Sequence, residues 1–508
     1  MQPQSRRLAL ACAIALAAWA LLVFGLGARS LWVDEYFSAV MTRGGPLDAA
    51  AAAMSDFHPP LYFMALNLWR GAAGDSEFGL RALSSAGGLV SVALMGAVAR
   101  RTLGRAWVLP AMLALALAPA AIELGRMARY YAWVMALGLL ATWWLLGVAR
   151  AARAGRPSAA RWAAYALSGI ALIHTFYFGA AILLGHAAWL AQRSTRTRRV
   201  LAAWAAALAA VGLSFLPWLL GAVAGQIQSL EASAGAELSR SAFGFAAGLG
   251  MSAYTFSVGE TIFPWNPLAI VGLLAAALLA GRALLDRSDG RGRALLGVCA
   301  IPILILALAT TTVATSTPFL NVPVRGLFAL PYALLGLLAG LRGLTRRGLR
   351  AAALVAIGLA WLAGNINYAL DQQLLNPIYN TPSRQAAEMI RSEARPGDLT
   401  LSEFDTVFGY YAGRIGPLPY RELQPLAGTA AAILAQRPAR LWVVSLGRDR
   451  TRDADEEQFR AALGTTYRAN PSICLAPVDP VYVRLKSAIL RRPAYDCRLS
   501  VERYDALP

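Results

Sequence analysis

Apolar runs of close to twenty residues recur along this chain, and arginines crowd the short stretches between them. About twenty apolar residues in a helix rise ~30 Å, the thickness of a bilayer's hydrocarbon core. A chain that repeats this pattern so often cannot hide every run inside one water-soluble core. It must place them in lipid. The totals agree: 57% of the 508 residues are hydrophobic and the mean hydropathy is +0.50. The formal charge of +19 would suggest nucleic acid in a soluble protein. Here the cations sit between apolar runs, where they act as topology signals facing anionic lipid, so no nucleic-acid partner is implied.

Eleven runs read as spans: 8–28, 77–99, 106–122, 131–149, 162–178, 179–192, 200–222, 264–281, 294–313, 326–341 and 351–367. The first follows Arg6-Arg7 and is longer than the roughly 7–15-residue apolar region of a signal peptide, so it reads as an uncleaved helix. With this count the arginine-dense connections, RSTRTRR at 193–199 among them, fall on one side. That side is the cytoplasm. The stretch up to about Gly74, the segment 123–130, the loop 223–263 and STPFLNVPVR (316–325) then face outward. PLYFMALNLW (60–69) reads as an interfacial helix.

From about 368 the composition changes. PSRQAAEMIRSEARPGD (382–398) reads as a capped amphipathic helix closed by a Pro-Gly turn. LTLSEF (399–404) and LWVVSL (441–446) read as strands. The expected architecture is a polytopic α-helical membrane domain over 1–367 and a small extracytoplasmic α/β domain over 368–508. Cys12 and Cys299 lie in apolar runs as packing residues; Cys474 and Cys497 can form a disulfide if the tail is outside the cytoplasm. No internal repeat or glycine-rich phosphate loop is present.

The chemistry-bearing residues gather at the outward ends of the runs. Asp34 and Glu35 directly follow the first run, with Asp56 and His58-Pro59-Pro60 soon after. Carboxylates so near lipid are costly and often functional. Two roles are open for the acidic pair: capping the next helix, where they would favour its dipole, or a general base. Adjacent residues do not share a helix face, so one points to the site and the other elsewhere; Asp34 is the expected base. His58 is either a packed turn residue or a donor to a phosphate. Arg81, Arg126, Arg129 and Arg325 stand at outward ends, against the inward bias of the other arginines. Each either snorkels to headgroups or joins a phosphate cradle, for which a planar fork of donors is suited. Tyr130, Tyr131, His174 and Tyr177 fall at the same level. His186, mid-run, reads as a satisfied core residue. Tyr62, Trp69, Tyr254 and Trp265 either anchor the protein in the interface or stack on a sugar.

The order of these motifs resembles a known family. The acidic pair, HPPLYF, SEFGLRALSSAGGL (76–89), the Arg126/Arg129-Tyr130-Tyr131 segment and HTFYFG (174–179) are similar to the dolichyl-phosphate-mannose protein mannosyltransferase-like enzymes. These form glycosyltransferase family 39 in the GT-C class, which includes the bacterial lipid A aminoarabinose transferase. The resemblance covers roughly 6–340 and implies a GT-C fold with interfacial helices in the first external loop. It also implies a sugar donor carried on a polyprenyl phosphate. The family's first-loop acidic residue matches Asp34, and the position before Pro-Pro, often basic in relatives, is His58. The arginine starting the tenth run matches Arg325, followed here by Gly326 where a tyrosine is common.

The resemblance leads to the expectation of an inverting glycosyltransferase of the bacterial inner membrane, its site and C-terminal domain facing the periplasm. Asp34 and Glu35 are its catalytic pair. His58, Arg81, Arg126, Arg129, Tyr130, His174, Tyr177 and Arg325 hold the lipid phosphate, and Asp56 and Tyr62 meet the sugar or acceptor. The acceptor is a glycan, lipid or protein. No cofactor is required by the residues; a divalent cation near Asp34 is compatible with the acidic pair, although no metal-ligand spacing is present. The rival readings are a flippase for a lipid-linked sugar, which predicts symmetric halves and mid-run charges, and a non-catalytic envelope assembly protein.

Overall fold

The computed structural model describes residues 3–56, 58–154, 156, 158–191, 197–232, 242–310, 321–403, 406–415, 420–423, 437–447, 454–491 and 493–507. Residues 193–196 of the RSTRTRR run and 316–320 of STPFLNVPVR lie outside them. By its contacts the chain divides into two compact units, Met1–Leu26 with Ser38–Leu375 and Gly27–Phe37 with Asn376–Pro508.

The first unit is helical. Each expected run falls on a helix or helix pair: Pro3–Val23, Glu77–Thr102, Val108–Leu117 with Pro119–Gly125, Tyr131–Arg153, Ala159–Thr175, Ala180–Leu190, Arg198–Ala232, Pro267–Leu285, Arg291–Thr310, Leu330–Gly343 and Arg347–Ala369. Among the described residues seven helices are long and apolar enough to cross a membrane alone, and a bent pair would make an eighth. The pair bends by 55° before Pro119, because Ala118 is extended, the conformation that a following proline imposes. The chain is a multi-pass membrane protein. The segment expected as the external loop 223–263 contains a helix, Ala242–Val258. Its glycines, serine and threonine dilute the hydropathy that marks the other runs.

Small residues set how closely helices cross. A Cβ on Gly340 would fall 1.9 Å from the Leu279 carbonyl oxygen, so Leu330–Gly343 and Pro267–Leu285 meet backbone to side-chain-free backbone there. Gly259 has φ +96° and would carry its Cβ 2.6 Å from that of Pro119. This turn places Glu260 in the loop before Pro267–Leu285, 1% exposed, with the Thr255 hydroxyl donating to Oε1 at 3.2 Å. Burial pushes the Glu260 carboxyl from its ordinary 4.5 up to about 8. The folded protein therefore keeps a proton that the unfolded chain releases, and stability falls as pH rises between those values, by up to about 1.4 kcal/mol per pH unit. Glu260→Gln is expected to flatten this dependence and to raise the unfolding temperature at the alkaline end. Thermal unfolding of the detergent-solubilised protein between about pH 5 and 8 checks it.

The second unit is α/β, built on a sheet of order β2-β1-β3-β6-β4, with β5 pairing β6. The strands are β1 Leu399–Glu403, β2 Tyr420–Leu423, β3 Arg440–Leu446, β4 Tyr467–Ala469, β5 Ile473–Cys474 and β6 Leu499–Ala506. β1 is parallel to β2 and β3, and β6 is antiparallel to β3, β4 and β5. Alternation sends Leu399, Leu401, Leu441 and Val443 into a core with Phe459, Leu463, Tyr467 and Tyr504. The expected amphipathic helix is Ser383–Glu393. Cys474 and Cys497 are bonded, with Cα atoms 5.9 Å apart and a sequence separation of 23. Closing a loop of that length contributes about 3 kcal/mol in the chain-entropy account.

The expected boundary at 367/368 left 27–37 with the membrane domain; the contacts put this segment in the second unit. The Ser30 hydroxyl donates to Gln385 Oε1 at 3.0 Å and accepts from the Arg384 N–H at 3.0 Å. The Leu31 N–H donates to the Tyr411 hydroxyl at 2.8 Å, and the Arg384 guanidinium donates to the Gly27 and Ala28 carbonyls at 3.2 and 2.6 Å. Trp32 and Tyr36 set their rings edge-on against Tyr379 and Tyr410.

Candidate active site

In the first unit the site residues converge on Arg129. The helix Pro46–Ser55 ends at Asp56, and the His58 N–H turns back to donate to the Ala53 carbonyl at 2.8 Å. Pro59 and Pro60 then fix the entry into the helix Leu61–Ala73, as prolines at a helix start do. That turn presents the His58 ring to Arg129, whose Nη2 lies 2.7 Å from Nε2. A guanidinium has no acceptor, so Nε2 accepts and the ring's proton is on Nδ1. Nδ1 in turn donates to the Asp56 carbonyl at 2.7 Å, with the Asp56 carboxylate at 3.2 Å. His58 is thus a link between Asp56 and Arg129 in this arrangement, with neither ring nitrogen left to donate to a phosphate.

Arg129 is 3% exposed. Its Nη1 donates to the Ser38 hydroxyl at 3.3 Å, and its guanidinium carbon lies 4.9 and 5.7 Å from the ring centres of Tyr130 and Phe63. Tyr130 stacks on Phe176 at 4.6 Å. The Ser84 hydroxyl ties this level together: it donates to the Arg129 carbonyl at 2.8 Å and lies 2.9 Å from the Tyr62 hydroxyl. Next to Phe176 comes Tyr177, on whose hydroxyl both Arg325 and Asp56 act electrostatically. Asp56, His58, Arg129 and Tyr130 therefore belong to one neighbourhood, which continues through Phe176 to Tyr177; Arg325 is half-buried and Asp56 exposed.

Other sequence candidates are placed elsewhere. Arg81 donates to the Leu26 carbonyl at 2.9 Å and Arg126 to the Phe24 carbonyl. Both carbonyls follow the end of Pro3–Val23, where a helix leaves its last C=O groups unsatisfied. These two arginines clamp a helix terminus, and Arg126 also lies over the Tyr368 ring. His174 Nε2 lies 3.2 Å from the Ser214 carbonyl and its ring meets Phe215 edge-on, which joins Ala159–Thr175 to Arg198–Ala232. Tyr62, at 2% exposure, has no open face for a sugar. The Trp69 N–H donates to the Gly79 carbonyl, and the Tyr254 hydroxyl to that of Ile262. Tyr131 meets Tyr130 edge-on, and Trp265 stacks on Phe263.

His186 is a satisfied core residue. The Trp204 N–H donates to Tyr165, Tyr165 to Nδ1 at 3.0 Å, and Nε2–H to Thr142 at 2.9 Å. Thr142 passes its own proton to the Gly138 carbonyl.

In the second unit the acidic pair opens the helix Val33–Met41. Glu35 is 1% exposed, and its Oε2 accepts from the Trp32 N–H at 3.2 Å. This is the return arm of a capping box, three residues into the helix. Asp34 is half-buried. The two roles weighed for the pair thus divide between neighbours: Glu35 caps, and Asp34 retains partial access to solvent. Among the described residues no three His, Cys, Asp or Glu gather as metal ligands would. A cation beside Asp34 would take its remaining ligands from backbone or water.

Phe63, Ser84 and Phe176 lie inside the motifs HPPLYF, SEFGLRALSSAGGL and HTFYFG without a role being read for them, and Ser38 had no sequence signal. They are recognisable only from what they touch.

No family model and no curated protein matches the sequence. Solved structures do. The chain aligns over 98% of its length with 98% of ArnT from Cupriavidus metallidurans, at 13% identity and TM-score 0.51 for the structure bound to undecaprenyl phosphate. For the apo state the identity is 14% and the TM-score 0.53. The Archaeoglobus fulgidus oligosaccharyltransferase, tethered with an acceptor peptide, aligns with 87% of this chain over 69% of its own, at 13% identity and TM-score 0.51. The likeness over nearly the whole chain, at TM-scores just above 0.5, shows that the chain, mostly helical with a small sheet near its C-terminus, has the GT-C fold.

Proposed function

We propose that the protein is an inverting glycosyltransferase that moves a sugar from a polyprenyl-phosphate carrier to an acceptor hydroxyl at the outer face of the cytoplasmic membrane. The observation that carries this is the alignment over nearly the whole of both chains with ArnT, in a structure that holds undecaprenyl phosphate. The Arg129 neighbourhood supports it as well, since it sets a guanidinium, whose planar fork of donors suits phosphate, among aromatic rings beside apolar helices. The Cys474–Cys497 bond supports an oxidising compartment for the second unit.

In this reading the acceptor oxygen attacks the anomeric carbon from the side opposite the phosphate. A new C–O bond forms, the C–O bond to phosphate breaks, and its electron pair leaves on the phosphate oxygen. The hydroxyl proton passes to Asp34. The leaving phosphate gains a negative charge, so fixed cations do more for it than an acid would. Arg129 and Arg325 supply that charge. His58 and Ser38 orient Arg129, and Glu35 holds the helix that carries Asp34.

Mass spectrometry of envelope glycans from cells with and without the protein tests the reading. One glycan, lipid or protein losing a single sugar while the lipid-linked donor accumulates is the expected result. An unchanged profile on every acceptor, with the donor stranded in the inner leaflet, would favour the flippase.

A further inference from the structure

The helix Pro480–Leu490 in the second unit departs from the pattern of a surface helix, which turns polar residues outward. Val481, Leu485 and Ile489 are 40%, 45% and 53% exposed. Their i, i+4, i+8 spacing lines them along one face. Tyr482, at the edge of this face one heptad before Ile489, is buried.

The charges on the helix itself have one sign. Arg484 is exposed, as is Arg491 just past its end, and Lys486 lies 4.7 Å from the ring centre of Tyr495. Of the acids beside it, Asp479 is engaged as the N-cap, accepting from the Val481 and Tyr482 N–H groups at 2.8 and 3.1 Å, and Asp496, whose carbonyl accepts from the Val478 N–H, is exposed. At the other end Arg491 takes φ 52°, a left-handed position where glycine is the least strained residue. A cation stands there instead.

We infer that Pro480–Leu490 is a membrane-surface helix: Val481, Leu485 and Ile489 enter the headgroup layer of an anionic leaflet, and Arg484 and Arg491 meet lipid phosphates. A helix with an exposed apolar face whose own charges are all cationic has the composition that binds such a surface. A second copy of the chain fits less well, because a two-fold contact would set this cationic rim against itself. Lipid is within reach of the second unit: only six residues, 370–375, tether its segment beginning at Asn376 to the long apolar helix Arg347–Ala369. The inference does not depend on the proposed reaction.

The test uses the full-length protein in a Cys12→Ser, Cys299→Ser background, with Ile489→Cys carrying an environment-sensitive NBD label. The reference is the same label at Arg468→Cys, an exposed position in β4. Both are placed in nanodiscs of phosphatidylcholine and phosphatidylglycerol, with and without doxyl-labelled lipid. The label at 489 should emit to the blue of the reference, be quenched severalfold more by doxyl lipid, and be less accessible to aqueous iodide. Leu485→Glu, another exposed position, should reverse all three. Equal lipid quenching at 489 and 468 would overturn the inference. So would a blue-shifted label that doxyl lipid fails to quench, which would mean the face is covered by protein.

Discussion

Asp34→Asn is expected to lower sugar transfer by about 10²–10⁴-fold, the usual contribution of a positioned general base, with donor binding nearly unchanged. Asparagine keeps the size of the side chain but loses its negative charge and one acceptor oxygen, and with them the ability to take the acceptor's proton. Single-turnover transfer on purified protein, alongside equilibrium binding of the lipid-linked donor, separates the two effects. Transfer at near wild-type rate would remove Asp34 as the base. Glu35→Gln is the informative companion, because Glu35 accepts from the Trp32 N–H. Gln keeps an amide oxygen to accept that N–H, so stability should fall by less than the ~1 kcal/mol of a lost cap, with only a modest fall in rate. If Glu35→Gln instead stops transfer with stability intact, the roles within the pair are reversed.

Arg129→Ala is expected to cost about 10²–10³-fold in transfer, the scale for removing one fixed donor from a developing charge. Weaker donor binding should accompany it. Arg129→Lys should rescue little, since an ammonium cannot point one donor at Ser38, another at His58 and present a planar face to Tyr130 together. His58→Ala should show a smaller loss with the same shape, a rise in KM and a fall in kcat together, because it acts through Arg129. Arg81→Ala is a contrast: its guanidinium holds the Leu26 carbonyl, so it should lower thermal stability more than it changes donor affinity. Unchanged donor affinity in both Arg129→Ala and Arg325→Ala would remove the phosphate assignment.

How much of this was legible in the sequence depends on what each feature answers to. Lipid imposes a composition on every residue of a span, so runs such as 77–99 and 351–367 announce themselves. The helix Ala242–Val258 did not, because glycine, serine and threonine hide an apolar helix from a hydropathy reading. Strands β1 and β3 were visible as apolar stretches between turns, whereas β4 and β5, three and two residues long, are too short to show a period. At the site, residue types told which side chains can meet a phosphate, and Arg129 was among them. They could not tell Arg129 from Arg81 and Arg126, because the partners of the latter two are carbonyls at a helix end, and every residue has a carbonyl. The protonated nitrogen of His58 was equally hidden: it depends on which donor faces Nε2, a fact of folding and not of spacing.

The hydrogen bonds from Ser30 to Gln385 and from Leu31 to Tyr411 join positions 355 and 380 residues apart. Contacts of such separation form late. On the ribosome, the strip of chain bearing Asp34 leaves the exit tunnel early and waits unfinished until the last quarter of the protein has been translated and folded. On the proposed reading, with Asp34 as the base, competence for chemistry is thereby withheld from every nascent or C-terminally clipped chain, and an incomplete product in the membrane would be inert toward lipid-linked sugars.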